Sequence, residues 1–213
     1  MPNAEIELRY RSPMDLLVAV ILSAQCTDKR VNVVTPALFA RYPDPAAYAR
    51  ADVAELESMI KTCGLYRGKA KNIIATAKAV VEQHGGQVPA ARGELETLPG
   101  VGRKTAGVVC IHLGGEPAFP VDTHVRRLSN RLGFSTHAHP DKVELDLQKL
   151  LPVERWTRGH HLLIWHGRRT CYARSPACDR CVVADLCPKI GVRREKATAK
   201  GKPAPASRPR ARP

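Results

Sequence analysis

The sequence predicts an all-α fold. Apolar residues recur at three- and four-residue spacing almost throughout, and no segment shows a clear strand-like alternation. Aromatic residues make up only 5% of the chain, which suits a helical core of Ala, Leu and Val better than a β-sandwich. Helix start and stop signals bracket segment after segment.

Taken in order, Ser12-Pro13 followed by Asp15 supplies a cap, a first-turn proline and an acid at the third position. The helix they open carries Leu16, Leu17, Val20 and Ile21. A second begins near Asp28, with Val31, Val34 and Leu38 on one face. Asp52 caps a third, whose Val53, Leu56, Met59 and Ile60 keep helical spacing until Gly64 stops it. Tyr66 to His84 carries Ile73, Ile74, Ala77, Val80 and Val81, and Gly85-Gly86 ends it. Glu94 to Leu98 reads as a short helix closed by Pro99-Gly100, and residues 102–113 as the next, terminated by Gly114-Gly115. Asp122 caps a helix that ends at Gly133, and residues 141–151 and 155–166 add two more. No repeat of fixed period is present.

A chain of 213 residues can form one large domain or two small ones and bury a core without staples. The apolar run 16-LLVAVILSA-24 falls well short of the ~20 residues that span a bilayer. MPNAEIELRY lacks the basic-then-apolar layout of a signal peptide, so the expectation is a cytoplasmic protein without a membrane partner. The net charge is +14 and the pI near 9.8, which points to a polyanion, most simply nucleic acid. Residues 192–213 hold eight Lys/Arg against one Glu, so half of the excess survives removal of that Pro/Ala-rich stretch. Its composition predicts disorder.

Seven cysteines in a chain without an export signal argue against a disulfide framework. Cys26, Cys63 and Cys110 are scattered among apolar or small residues and read as core filler. Cys171, Cys178, Cys181 and Cys187 are crowded together as Cys-x6-Cys-x2-Cys-x5-Cys. Only one pair has the close spacing of a zinc knot. The wide, unequal outer spacings fit one thiolate at each corner of an iron–sulfur cubane better, with zinc as the alternative.

Two further stretches carry chemistry. In 98-LPGVGRKTAG-107, Leu95 and Leu98 precede a tight turn and Val108, Val109 and Ile111 follow it. Backbone N–H groups at Gly100 and Gly102, at the positive end of the following helix, can hold a phosphate without a side chain. Glycine permits the close approach and a left-handed backbone. The bland reading is a helix–helix turn with no ligand; the net charge and the Arg103-Lys104 pair weigh against it. In 121-VDTHV-125, Asp122 is accounted for as an N-cap, yet a chain returning across one helix and a loop can bring it into the same cleft as Lys104.

Together, LPGVGRKTA, VDTHV and the four-cysteine closure resemble endonuclease III, the bifunctional DNA glycosylases and abasic-site lyases of the helix–hairpin–helix superfamily. The resemblance extends to 21-ILSAQCTD-28, 64-GLYRGKAKNI-73 and 160-HHLLIWHGRRTC-171, and covers roughly residues 6 to 190. It implies two helical domains flanking a cleft, with an iron–sulfur cluster loop. Residues 13–119 would form a six-helix domain containing the hairpin, residues 1–12 with 120–190 the cluster domain, and residues 191–213 a disordered basic tail. Only twelve residues precede Pro13, where relatives often have a further helix.

The resemblance also assigns roles. Lys104 matches the Schiff-base nucleophile and Asp122 the catalytic carboxylate. Leu98, Gly100, Val101 and Gly102 match the phosphate-binding hairpin, with Arg103 beside it. Gln25 matches a side chain that fills the gap left by an extruded base, and Leu65 a wedge entering the stack from the other side. Ser23 and His124 line the cleft in relatives. The four cysteines match ligands of a [4Fe-4S] cluster, and the loop they shape brings Arg174 to the DNA backbone. The implied substrate is double-stranded DNA carrying oxidised pyrimidines or abasic sites, acted on by a monomer. Cys26 stands beside the gap-filling Gln25 where a small residue is common. An adenine-excising relative would lack Lys104 and need an acid inside the LSAQ-type segment, whereas this chain keeps its acid only at Asp28. A non-catalytic DNA-binding module would need neither Asp122 nor the Gln25–Leu65 pair.

Overall fold

The computed structural model describes residues 4–192. Among them are ten α-helices, two single 3-10 turns and no strand, as the periodicity predicts. The helices are α1 Pro13–Ser23, α2 Asp28–Arg41, α3 Pro45–Ala49, α4 Val53–Ile60, α5 Tyr66–His84, α6 Arg92–Thr97, α7 Arg103–His112, α8 Thr123–Leu132, α9 Pro140–Leu150 and α10 Trp156–Arg169. No helix is long and apolar enough to cross a membrane among the described residues. The basic tail expected to be disordered lies, from residue 193 on, outside the described residues.

Caps fix most of the starts. The Ser12 hydroxyl accepts the Asp15 N–H at 3.1 Å and Asp15 Oδ2 accepts the Arg11 N–H at 3.2 Å, a reciprocal arrangement that satisfies two donors at one helix end. Thr27, Asp44, Asp52 and Asp122 cap α2, α3, α4 and α8. The α3 turn departs from the sequence reading, so residues 13–119 hold seven helices and not six. It is five residues long, too short to show a period, and rests on its Asp44 cap and Pro45. At the C-terminal side α10 runs to Arg169, past the expected end at 166.

The apolar faces bury into two cores. The first gathers α1 to α7, α3 through its buried Tyr48; α1 is buried on all sides from Met14 to Leu22. The second joins Phe119, Val121, Val125, Val143 and Leu147, with Trp156, Leu163 and Ile164 packed against it. The expected division after residue 119 thus falls near the gap between the cores, although Phe119 itself packs in the second. Residues 4–12 serve both. Leu8 is in the first core and the Asn32 amide donates to the Glu7 carbonyl at 2.8 Å. The Trp165 indole donates to the Glu5 carbonyl at 2.9 Å, and Arg168 and Arg169 pair with the Glu7 carboxylate.

Two features fix one half against the other. Residues 118–121 are wholly buried and run against α7, where a Cβ on Gly107 would stand 3.2 Å from the Pro120 ring. From the other side His160 Nδ1 lies 2.8 Å from the Pro120 carbonyl. Further along, Glu144 of α9 is buried between Arg92 of α6 at 2.8 Å and Arg103 of α7 at 2.9 Å. Burial alone would raise the Glu144 carboxyl, but hydrogen bonds from Arg92 and Arg103 outweigh it and hold it below the usual range. Removing one partner of a buried pair leaves the other charge uncompensated. Glu144→Ala is therefore expected to cost about 3 kcal/mol, seen as a thermal midpoint lowered by roughly 6 to 12 °C. Calorimetry showing a drop of less than about 2 °C would mean that solvent already screens the cluster.

Candidate active site and cluster centre

The cleft between the two cores holds two adjoining cavities, and Lys104, Asp122, Ser23, Asp28 and Arg168 line both. Lys104 is the second residue of α7. The helix opens at Gly102 without any side-chain cap, so its first N–H groups are free to meet an anion. Asp122 is the N-cap of α8: Oδ1 accepts the Val125 N–H at 2.8 Å, which leaves Oδ2 for the cleft. Both readings of Asp122, cap and cleft residue, hold at once. The buried run 118–121 is what returns it to Lys104.

The hairpin before α7 stands on α5. The Thr76 hydroxyl donates to the Pro99 carbonyl at 2.5 Å and the Val101 N–H to the Leu98 carbonyl at 3.0 Å. Its glycines are needed for different reasons. Gly100 has φ +76°, and a Cβ there would come within 2.6 Å of the Asn72 side chain. Gly102 has an ordinary φ of −89°, and a Cβ would meet open space. The fold itself therefore requires Gly100, whereas Gly102 keeps the approach to the helix end clear. Leu98 and Val101 are 2% and 5% exposed. Their side chains belong to the first core, so only their backbone can face a ligand, as expected of a hairpin that holds phosphate through N–H groups. Arg103, expected beside the phosphate-binding hairpin, is held by Glu144 at 2.9 Å and by Asp141 at 3.1 Å, so its charge is already paired within the protein.

Gln25 and Leu65 are both exposed and both left-handed, at φ 53° and 49°. Non-glycine residues adopt such a backbone at a cost, and it concentrates at functional sites. The loops carrying them touch, since a Cβ on Gly64 would lie 3.6 Å from the Gln25 carbonyl. Beneath them the buried Lys69 donates to the carbonyls of Leu22 at 2.8 Å and Cys63 at 2.5 Å. His124 faces the cleft with its ring against Gly167 of α10, and Arg127 lies 3.2 Å from its Nδ1. Desolvation, reinforced by Arg127 and Arg168, lowers its pKa despite Asp122.

Sequence reasoning missed the floor of the inner cavity, built by His112, His160 and His161 with Ile164. Burial lowers all three histidines, His161 to about 4, so the floor is uncharged at neutral pH. Arg168, another omission, ties Glu7 to Asp28 at 2.5 and 2.8 Å across the cleft. Asp28 is thereby engaged. Lys69 was legible: with Ile73, Thr76 and Val80 it falls on the buried stripe of α5.

The four cysteines Cys171, Cys178, Cys181 and Cys187 line one small cavity at the end of α10, closed by Leu128, Arg131 and His166. N–H groups reach two of the sulfurs, Arg131 at 3.3 Å from Cys171 and the Lys189 backbone at 3.4 Å from Cys187, and His166 Nε2 lies 3.5 Å from Cys181. The four thiols line one common space, which suits a cubane taking one thiolate per corner, with N–H donors to its sulfurs. Arg131, also missed, grips the Tyr172 and Ala173 carbonyls at 2.6 and 2.9 Å. The loop so formed presents Arg174 exposed at its outer edge.

Residues 18–153 match the family model of HhH-GPD superfamily base excision DNA repair proteins, and residues 171–187 that of the iron-sulfur binding domain of endonuclease III. Endonuclease III of Synechocystis sp. is 52% identical over 188 residues, covering 88% of this chain and 86% of that one. The Escherichia coli K12 protein of the same name is 47% identical over 186 residues, covering 87% and 88%. A solved trapped endonuclease III–DNA covalent intermediate superimposes with a TM-score of 0.85 at 47% identity, covering 88% of this chain and 89% of that one. A thermostable thymine-DNA glycosylase gives 0.76 at 27% identity, covering 85% of each.

The two glycines make separable predictions. Gly100→Ala combines a left-handed backbone with a contact against Asn72, and is expected to cost about 2 kcal/mol or more. Gly102→Ala should cost clearly less. Thermal melts that shift equally for both would show that α5 does not support the turn.

Proposed function

The chain belongs to the endonuclease III family of HhH-GPD base excision DNA repair proteins, and we propose that its cleft performs the family's chemistry with Lys104 and Asp122. The enzyme is a base-excision-repair DNA glycosylase with abasic-site lyase activity, and its cofactor is a [4Fe-4S] cluster. The observation that carries the residue assignment is that a lysine at an uncapped helix start and a capping aspartate line the same two cavities.

A base inside a duplex cannot be attacked until it is turned out of the stack, at a cost of a few kcal/mol that damage reduces. Gln25 and Leu65 offset that cost by filling the gap from the two strands' sides. The N–H groups of Gly100, Gly102, Arg103 and Lys104, at the hairpin and the α7 start, hold a backbone phosphate, helped by the helix dipole. That phosphate sets the sugar beside Lys104. The Lys104 amine then forms a bond to C1′ while the bond from C1′ to the base breaks, and the base leaves with the electron pair. Asp122 stabilises the positive charge that develops on the sugar and assists the proton transfers. Opening of the sugar ring gives the imine between Lys104 and C1′. Loss of a proton from C2′ then expels the 3′ phosphate, which cuts the strand.

Residues 13–119 form the hairpin-bearing domain, and residues 120–190 the domain that carries the cluster. The segment 1–12 belongs with the cluster domain, a reading supported by the contacts of Glu5 and Glu7 to α10. The cluster is held by Cys171, Cys178, Cys181 and Cys187 and supplies structural cross-linking of the loop that offers Arg174 to the DNA. Oxidised pyrimidines are the preferred lesions, the protein acts as a monomer, and it works in the cytoplasm on the nucleoid. The uncharged histidine floor of the inner cavity supports a neutral base as its occupant.

Borohydride reduction of a mixture with duplex carrying one oxidised thymine is expected to trap a covalent protein–DNA species. Lys104→Ala should lose it and lose strand cleavage while still binding. Persistence of the trapped species in that variant would remove Lys104 from its role. Asp122→Asn should slow base release strongly yet keep some trapping. Separately, Arg174→Ala should weaken binding to all sequences alike and reduce the salt slope by about one. A loss confined to certain sequences would refute a backbone contact.

A further inference from the structure

Cys26 and Cys63 are free thiols on adjoining loops: Cys63 belongs to the first core and Cys26 packs against that core. They sit on the two loops whose left-handed residues are Gln25 and Leu65: Cys26 follows Gln25 directly, and Cys63 precedes Gly64-Leu65. The loops also meet through Gly64 and the Gln25 carbonyl. Cys63 is wholly buried, whereas Cys26 is partly exposed and lines the outer cavity with Lys104 and Asp122. Lys69 lies beneath both, bonded to the Cys63 carbonyl and to that of Leu22 at the end of α1. Its ammonium interacts with both sulfurs.

We propose that Cys26 and Cys63 are an oxidation site, at which a hydroperoxide such as hydrogen peroxide joins the two loops by an intramolecular disulfide. The division of labour follows from exposure. Burial pushes the Cys63 thiol up to about 11, and solvent does not reach it, so Cys26 meets the oxidant first. The Cys26 sulfur attacks one peroxide oxygen, the O–O bond breaks, and sulfenic acid and one water form. The Cys63 sulfur then attacks the Cys26 sulfur, the S–O bond breaks, and the hydroxide leaves with the Cys63 proton as a second water. Two thiols lose two electrons and the peroxide gains them. The nearby Lys69 ammonium favours the negative charge that builds on Cys63 as it attacks. This site is distinct from the four cluster cysteines, which lie on the loop after α10.

The functional consequence rests on the reading of Gln25 and Leu65 as the residues that enter the duplex. A covalent tie between positions 26 and 63 fixes the separation of their loops, and with it the spacing at which Gln25 and Leu65 can enter the gap. Oxidation should weaken binding to a duplex with an abasic-site analogue several-fold, and a thiol reductant should restore it.

The test uses the cluster-loaded full chain. It is treated with near-stoichiometric hydrogen peroxide, free thiols are alkylated, and the digest is read by mass spectrometry while visible absorbance follows the cluster. The expected result is a peptide pair linked through Cys26 and Cys63, at unchanged cluster absorbance, that disappears in Cys26→Ser and on reduction. Recovery of Cys63 fully alkylated, with Cys26 either alkylated or carried on to sulfinic acid, would overturn the proposal. A linked pair without weaker duplex binding would leave the oxidation site standing and count against the role given to Gln25 and Leu65.

Discussion

The cleft depends on how closely residues 118–121 can lie against α7. Gly107 leaves room for the Pro120 ring, and a methyl group there would already press on it. His160 grips the Pro120 carbonyl from the opposite side. Between them they fix where the chain emerges at Asp122, and hence how the start of α8 faces the start of α7. Two helix N-termini converge on one space, one left uncapped beside a lysine and the other capped by its own carboxylate. The positive ends of two helix dipoles make the cleft attractive to a phosphodiester, and on the proposed mechanism the Asp122 carboxylate answers a transient sugar cation.

The chain's large positive charge contributes less at this point than its size suggests. Arg103 and Arg92 are spent on Glu144, and Arg168 on Glu7 and Asp28. These arginines build the scaffold that orients the helix ends, and on the proposed mechanism recognition close to the sugar falls to backbone N–H groups. Such groups cannot reorient, so they hold a phosphate without the entropy cost of ordering long side chains. Mobile cationic side chains, such as Arg174 on the cluster loop, suit the periphery, where the demand is for attraction and not for register.

Much of this was legible in local sequence. Helix starts at Ser12, Asp52 and Asp122 are written in residue types whose side chains accept N–H groups, and the turn at Gly100 in a residue that alone tolerates its backbone. What escaped was set by tertiary contact. The α3 turn has no period to detect. Leu98 and Val101 belong to a glycine-rich motif but obey the apolar pattern of the core, and the core determines where their side chains go. Arg103 adjoins Lys104 in sequence, yet successive residues on a helix point about 100° apart, and the acids that hold it come from α9, far along the chain. The histidine floor combines residues from α7 and α10 that no spacing rule links. The spacing of Cys171 to Cys187 is informative by itself, whereas the meeting of the loops that carry Cys26 and Cys63 is set by tertiary placement.

The N-terminal segment bears on how the molecule can move. Residues 118–121 cross between the two cores once, and residues 4–12 tie them a second time, with Leu8 anchored in one and Glu5 and Glu7 fastened to α10 of the other. A body joined at one crossing can swing as a hinge; one fastened at two separate places resists rotation in the way a clamped frame does. The protein thus behaves mechanically as a fixed anvil. When a rigid groove meets a stiff double helix, the work of deformation falls on the more compliant partner. A site with a weakened stack bends and opens at lower energy than intact duplex, so stiffness in the protein itself becomes a means of sorting damaged from undamaged DNA before any atom of the base is read.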